Sequence, residues 1–140
     1  FFVLGRSRTE LSYARISSVR MLFNPSGIDE TKARIREVTG TARPGLVILG
    51  INGDDSSDTI YDQLMRDTFA GIPALYYKHL CGEYDTSTGF ALAMAAGILR
   101  EKRIPEIMKT ESLPDVNPSS ILIYNHLRNL NHSAIMVEAC

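Results

Sequence analysis

Lys78 and Glu83, five residues apart, are the first pair in this sequence whose types and spacing could do chemistry. The spacing favours an ion pair between the ammonium and the carboxylate. A glutamate whose pKa is raised by burial could instead act as a general acid or base. Two structural roles compete with that one, because a carboxylate ahead of a helix stabilises its N-terminus and a lysine ending a strand is commonly a solvated or ion-paired surface residue.

A second candidate is the glycine-rich run Gly50-Ile51-Asn52-Gly53-Asp54, which lies between a predicted strand and a predicted helix. It is superficially similar to a phosphate-binding loop, but it lacks both G-x-G-x-x-G and a following Gly-Lys-Ser/Thr. Asn52-Gly53 is instead typical of a turn that needs a positive φ. Nucleotide binding is therefore not indicated.

Composition narrows the function classes. The formal net charge of −1 and a pI near 6.3 leave no basic surplus for nucleic acid or an anionic membrane surface. The two cysteines, Cys81 and Cys140, are not in a metal-ligand spacing and could form at most one disulfide. No apolar run approaches the ~20 residues that a membrane span needs. We therefore predict no metal, no cofactor, no nucleic-acid or membrane partner, and a reducing, cytoplasmic location.

The elements that would position these residues are predicted by hydrophobic periodicity and capping residues, which give nine of them in the order ββαβαβαββ. They are strands at 1–4 and 12–23, a helix capped by Ser26 or Asp29 and ending near Thr39, a strand at 46–49, a helix from Ser57 or Asp58 to Phe69, a strand at 72–77, a helix from Asp85–Ser87 to Glu101, and strands at 121–124 and 133–137.

Alternating strands and helices predict an α/β fold, with helices layered on a mixed sheet in a single domain over 1–140. The strand at 46–49 is continuously apolar, as expected where both faces are covered. The helix at 90–99 is apolar nearly all round and is predicted to be buried.

The order of the later motifs resembles the last third of a β-ketoacyl-acyl-carrier-protein synthase, a condensing enzyme. The motifs are Lys78-His79-Leu80-Cys81-Gly82-Glu83, a small-residue helix, Arg103-Ile104-Pro105 and a closing hairpin from Asn125 to Val137. In that family a strand ends in Lys, a loop ends in Gly-His before a buried helix, and Asn-Ser-Phe-Gly-Phe-Gly-Gly links the last two strands. Lys78, Gly82 and Asn125 match these positions. The implied fold is the C-terminal half of a thiolase-like fold.

The family's His-Gly-Thr-Gly-Thr-x-x-Gly-Asp loop overlies residues 50–58 without gaps, and Gly53 and Asp58 match it. Both histidines that serve the family's nucleophilic Cys are replaced, one by Gly50 and one by Glu83. Glycine offers no side-chain donor, and an ionised glutamate only accepts hydrogen bonds. The nucleophile belongs to the other half of the family fold, and neither Cys81 nor Cys140 aligns with it.

The resemblance implies which residues form the site. Lys78, Glu83 and Asn125 occupy catalytic positions, and His126 and His132, with His79, could gather near Lys78 as a rebuilt oxyanion site. Asn52 and Asn129 are the expected substrate-binding residues, Asn129 standing where the family has an aromatic gate. The loops after Leu49, Tyr77 and Tyr124 should leave the same edge of the sheet, so that Asn52, Lys78, Glu83, Asn125 and His126 converge.

The functional expectation is a relative of 3-oxoacyl-acyl-carrier-protein synthases in fatty-acid or polyketide-like biosynthesis that is divergent or inactive in this half. The alternative is a non-catalytic partner subunit comparable to a chain-length factor, and a thiolase-fold enzyme of other chemistry is a third hypothesis. Expected partners are acyl carrier protein, the protein's own N-terminal half, and a homodimer or heterodimer mate. The apolar start at 1–4 indicates a piece of a longer protein, with exposed apolar surface, self-association and no condensing activity of its own.

Overall fold

The computed structural model describes residues 3–108, 113–114 and 116–140. A five-stranded mixed sheet and four α-helices confirm the predicted α/β fold. The elements are β1 (Ala14–Phe23), α1 (Ile28–Thr39), β2 (Leu46–Leu49), α2 (Asp55–Arg66), β3 (Ala74–Tyr76), α3 (Lys78–Cys81), α4 (Ser87–Glu101), a 3₁₀ turn (Glu106–Met108), β4 (Ser120–Leu127) and β5 (Asn131–Ala139).

The sheet order is β1-β5-β4-β2-β3. β2 runs parallel to both β3 and β4, whereas β5 runs antiparallel to β4 and β1. Parallel strands deliver their carboxyl ends to one edge, where the loops that build sites gather. The segments that follow Leu49 and Tyr76 therefore leave the same edge that the end of β4 reaches, as the sequence predicts.

Each face of the sheet has its own apolar core. Leu46 and Ile48 of β2 pack with α4 on one face, and Val47 and Leu49 pack with α1 and α2 on the other. All four residues of β2 are fully buried, which confirms the prediction of a strand covered on both sides. α4 is buried along one side only, and Ala93 on its other side is exposed. The predicted burial of α4 is therefore confirmed for one side of the helix and not for the other.

The first strand predicted from the sequence, at 1–4, is not found. Phe1 and Phe2 lie outside the described residues, and Val3 and Leu4 belong to no strand and are exposed. The predicted order ββαβαβαββ is also altered by the short helix α3, which follows β3 directly. A short apolar run without a pairing partner does not gain ladder hydrogen bonds, so an apolar pattern alone is not enough to make this strand.

Two predicted helix caps are wrong. Gly27 precedes α1 without a side-chain cap, and Ser26 instead donates to Glu30 from its backbone N–H and its hydroxyl. α2 begins at Asp55 because the Asp54 carboxylate accepts from the Ser56 N–H, so the cap lies three residues before the predicted Ser57. The predicted end of α1 at Thr39, followed by Gly40, is confirmed.

The predicted closing loop at 125–132 is mostly strand. β4 continues to Leu127 and β5 starts at Asn131, with only a tight turn between them. Arg128 and Asn129 have φ values of 53° and 52°, and the Leu130 N–H donates to the Leu127 carbonyl at 3.0 Å. Two successive positive φ angles fit the twist of a hairpin.

β1 forms one edge of the sheet and carries exposed apolar side chains. Val19, Met21 and Phe23 alternate along the strand and are 44%, 76% and 73% exposed. Their neighbours on β5 include Ile135 and Ser133, so the row lies on the α4 side of the sheet. The sequence predicts exposed apolar surface at residues 1–4, where Val3 and Leu4 are indeed exposed, but it does not predict this row on β1.

Candidate functional site

The candidate site lies where β2, β3 and β4 end. Gly50 follows β2 and donates its N–H to the Tyr124 carbonyl of β4 at 3.1 Å. Lys78 follows β3 and opens α3, while Asn125 and His126 lie near the end of β4. The expected convergence of the loops after β2 and β3 with the end of β4 is found.

Lys78 and Glu83 form a close ion pair, as their spacing predicts. The Lys78 Nζ lies 2.6 Å from Glu83 Oε2, and the side chains are 2% and 32% exposed respectively. Lys78 is therefore a buried cation and not the solvated residue that the strand-end position suggested. Asn52 Nδ2 donates to the same Glu83 oxygen at 2.9 Å, which places Asn52 beside the pair.

The loop after β2 is held by carboxylates. Asp58 of α2 accepts from the Gly53 N–H at 2.7 Å and from the Asn52 N–H at 3.3 Å. Gly53 has φ 87°, which confirms the predicted positive-φ turn. Asn52 Oδ1 accepts from the Asp54 N–H at 2.9 Å, so both ends of the Asn52 amide are engaged. The loop is thereby fixed against the ion pair.

Gly50 has no room for a side chain. A Cβ at Gly50 would lie 2.0 Å from Asn125 Oδ1 and 2.8 Å from the Tyr61 hydroxyl. Asn125 is held in place at both ends, because Nδ2 donates to Thr88 Oγ1 at 3.0 Å and Oδ1 accepts from the Tyr61 hydroxyl at 3.4 Å. The carboxamide of Asn125 therefore fills the space beside Gly50.

His126 and His132 face each other as a cross-strand pair of the closing hairpin. Their ring centroids are 5.5 Å apart, each residue is 3% exposed, and the His126 ring stacks on Tyr61 at 4.7 Å. The Asn129 N–H donates to His126 Nδ1 at 3.2 Å, so the proton of neutral His126 resides on Nε2. His132 Nδ1 shares a hydrogen bond of 2.8 Å with the Tyr124 hydroxyl.

Burial keeps these histidines neutral. Burial first, and then the nearby His132 and the Lys78 cation, lower the pKa of His126 to about 4. The Ser57 backbone acts to raise the pKa of His126. It does so without a hydrogen bond of normal geometry, because His126 Nε2 has no hydrogen-bond partner among the described residues. Burial also lowers the pKa of His132 and raises the pKa of the Tyr61 and Tyr124 hydroxyls, which therefore stay protonated at neutral pH.

Two of the predicted site residues lie apart from the others. His79 is exposed and its Nε2 contacts the Ile107 carbonyl, so only two of the three histidines cluster. Asn129 lies at the exposed hairpin turn and reaches the site through its backbone N–H to His126. A substrate-binding role for Asn52 and Asn129, and a catalytic role for Lys78, Glu83, Asn125, His126 and His132, stay predictions.

Tyr61 and Thr88 were missed from the sequence although both hold Asn125. The Tyr61 hydroxyl also accepts from the His126 N–H at 3.2 Å. The only sequence signal is a tyrosine on the apolar stripe of α2, three residues before the buried Leu64. A hydroxyl placed on a buried face needs a hydrogen-bond partner, and that partner lies sixty-odd residues away in the sequence.

The arrangement leaves few free donors for a developing oxyanion. Both amide groups are engaged internally and the ammonium of Lys78 is paired, whereas the neutral His126 and His132 each keep a buried Nε2 that has no hydrogen-bond partner among the described residues. The member of the ion pair that reaches solvent is Glu83, which accepts and does not donate when ionised.

Among the residues that the structure describes, no group of three or more His, Cys, Asp or Glu side chains could hold a metal ion. Within that same part of the chain, no helix is long and apolar enough to cross a membrane.

Comparisons with known proteins bear on the fold. No family model and no curated protein sequence matches the chain. Seven chains of solved structures match it, among them one in the complex of an acyl carrier protein of a type II polyketide synthase with its ketosynthase bound to the hexaketide. The TM-score is 0.66 at 14% identity, over 91% of this chain and 34% of the other. This chain thus spans about a third of the length of a solved chain whose fold it shares.

Proposed function

We propose that this chain is part of a condensing-enzyme homologue of fatty-acid or polyketide-like biosynthesis, and that its site does not perform decarboxylative condensation. The full-length protein would handle acyl chains carried on acyl carrier protein. The observation that carries the proposal is the packing at Gly50. The resemblance aligns a histidine there, and Asn125 Oδ1 fills that space, only 2.0 Å from the position that a Cβ would take.

The second replaced position supports the same proposal through charge. Glu83 aligns with the family's other histidine, and its carboxylate is paired with the buried Lys78. Condensation develops negative charge on an enolate or thioester oxygen, which donors stabilise and a carboxylate repels. The fold shared with a chain of a ketosynthase complex supports the family, and the two altered positions support the loss of the reaction.

The test is an assay of the full-length protein with malonyl-loaded and acyl-loaded carrier protein, in which decarboxylation and condensation are followed separately. An authentic ketosynthase is the positive control. The matched control is that ketosynthase with its two site histidines changed to Gly and Glu. We expect turnover like that of the altered control, and turnover comparable to the unaltered enzyme would refute the proposal.

A non-catalytic partner subunit, comparable to a chain-length factor, is the second candidate. The exposed row Val19, Met21 and Phe23 favours it, because apolar surface of this kind marks protein–protein contact. In this role that surface would be covered by a heterodimer mate, whereas under the first proposal the protein's own N-terminal half or a homodimer mate would cover it. Full-length protein purified together with an active synthase should then change the chain length of its products, whereas unchanged products would exclude this role.

A further inference from the structure

A second cleft lies where β2 and β3 begin, at the opposite end of these strands from the candidate site. It is formed between the second half of α1 with the loop into β2 and the segment that joins α2 to β3. Its volume is about 570 Å³, within the ~300–1,000 Å³ typical of small-molecule pockets. It shares no residue with the candidate site, so its role is independent of the proposed function.

The two walls of the cleft are tied together by polar contacts. The Lys32 Nζ of α1 lies 2.6 Å from Asp67 Oδ2 at the end of α2. Arg43, in the loop before β2, donates from Nη2 to the Ala70 carbonyl on the other wall. Two ties across the opening hold the cleft in shape without a ligand, so binding would not have to order the walls.

The cleft carries more positive than negative charge. Lys32, Arg36 and Arg43 line it against the single carboxylate Asp67, whose pKa the Lys32 ammonium lowers. Asp67 therefore stays ionised and balances one cation. Two guanidinium groups are left, in a protein whose formal net charge is −1. Arg43 spends one of its donors on Ala70, and Arg36 makes no side-chain hydrogen bond or ion pair with the described residues.

An apolar wall completes the cleft. Ile35, Phe69 and Ile72 line it and belong to the core beneath α1 and α2. Thr68 also lines it, but its Oγ1 is buried from solvent and is not open to a ligand in the cleft.

A purely structural role accounts for only one of the two arginines that line the cleft. A cation in the last turn of α1 stabilises the helix C-terminus, which is reason enough for Arg36 alone. It does not explain Arg43, which comes from the following loop and uses one of its donors on Ala70. Two guanidinium groups over an apolar wall suit a phosphate ester, since phosphate presents several strong acceptor oxygens.

We propose that this cleft binds a small organic phosphate monoester. The phosphate is held by Arg36 and Arg43, and the organic group lies against Phe69 and Ile72. Arg36 is the main anchor, because its guanidinium is not engaged by any other described residue of the cleft.

The test uses the full-length protein and phenyl phosphate as the probe, with binding followed by NMR chemical-shift changes. Inorganic phosphate and phenol are the comparison ligands. Arg36→Ala should weaken phenyl phosphate binding about tenfold or more, because it removes a charge-assisted hydrogen bond to the phosphate.

Arg34→Ala is the matched control, because Arg34 lies on the same helix and pairs with Glu37 outside this cleft. We expect Arg34→Ala to bind as the unaltered protein does. Equal loss in Arg34→Ala and Arg36→Ala would show a diffuse charge effect and overturn the site. Failure of phenyl phosphate to shift cleft residues at millimolar concentration would overturn it as well. Binding of phenol as tight as that of phenyl phosphate would overturn the role of the phosphate, and equal binding of inorganic phosphate would overturn the role of the ester.

Discussion

Replacing Gly50 by alanine should destabilise the protein because the new methyl group would overlap the Asn125 carboxamide. The Cβ would lie 2.0 Å from Asn125 Oδ1, well inside the ordinary van der Waals distance. Asn125 would have to move and give up its bonds to Tyr61 and Thr88. Overpacking costs ~1–3 kcal/mol and each lost hydrogen bond ~1 kcal/mol, against ~0.4–1 kcal/mol gained from a less flexible unfolded chain. We expect a net loss of about 2–5 kcal/mol.

The cause can be isolated with a double-mutant cycle. Asn125→Ala removes the overlapping oxygen, so Gly50→Ala should cost ~1–2 kcal/mol less in that background than in the natural one. Recovery should be incomplete, because the Tyr61 hydroxyl still lies 2.8 Å from the Cβ position. Gly97→Ala in α4 is the control, since no atom lies within 4 Å of its Cβ position, and it should be neutral or stabilising by up to ~1 kcal/mol.

The measurement is urea unfolding of the four cycle proteins and the control, with free energies from linear extrapolation. Equal m-values across the set would show that the unfolded state is unchanged. If Gly50→Ala matched Gly97→Ala in its effect, or if the two changes in the cycle were additive, the claim that Asn125 fills the space beside Gly50 would be wrong.

Two further predictions concern the charges and the histidines. Glu83→Gln should destabilise the protein by ~1–3 kcal/mol, because it leaves the buried Lys78 ammonium without its carboxylate. Lys78→Met together with Glu83→Gln should recover most of that loss, as measured by urea unfolding. An unchanged free energy of unfolding in Glu83→Gln would show that the ion pair does not stabilise the fold. The pKa of His126 is lowered from 6.5 to about 4. Above pH 6.5 the contribution of the neutral histidine is complete. Between pH 6.5 and 4 only the unfolded chain therefore binds the proton, and the stability of the folded protein falls by up to ~1.4 kcal/mol per pH unit as the pH is lowered through that range. His126→Gln should flatten that part of the pH profile, and an NMR titration of His126 with a midpoint near 6.5 would refute it.

The parts of the fold that followed from sequence are those in which local pattern and burial agree. β2 is four apolar residues, and both faces of the sheet are covered there. α1 ends at Thr39 because Gly40 takes φ 58°, a conformation that glycine adopts at little cost. The Asn52-Gly53 turn was predictable for the same reason, since Gly53 has φ 87°.

The closing hairpin was predicted, but the length of its strands was not, because its polar residues are buried by contacts distant in sequence. Asn125, His126 and His132 indicate a loop by composition, yet they continue two strands. Tyr61 of α2 stacks on His126 and bonds its backbone N–H, which satisfies polar groups that would otherwise oppose burial. No local pattern encodes that contact. The burial of Lys78 was missed likewise, although its pairing with Glu83 followed from their spacing.

The two positions where the resemblance expects histidines are closed by different physical means. At Gly50 the obstacle is volume, because Asn125 fills the space and is anchored to Tyr61 and Thr88. At Glu83 the obstacle is charge, because a histidine there would leave the buried Lys78 cation without a carboxylate. Introducing either histidine alone would therefore cost stability before it gained any catalytic donor, and introducing both would require changes at Asn125 and Lys78 as well. Under the proposed function, we accordingly expect no condensation activity when only one of the two positions is changed to histidine.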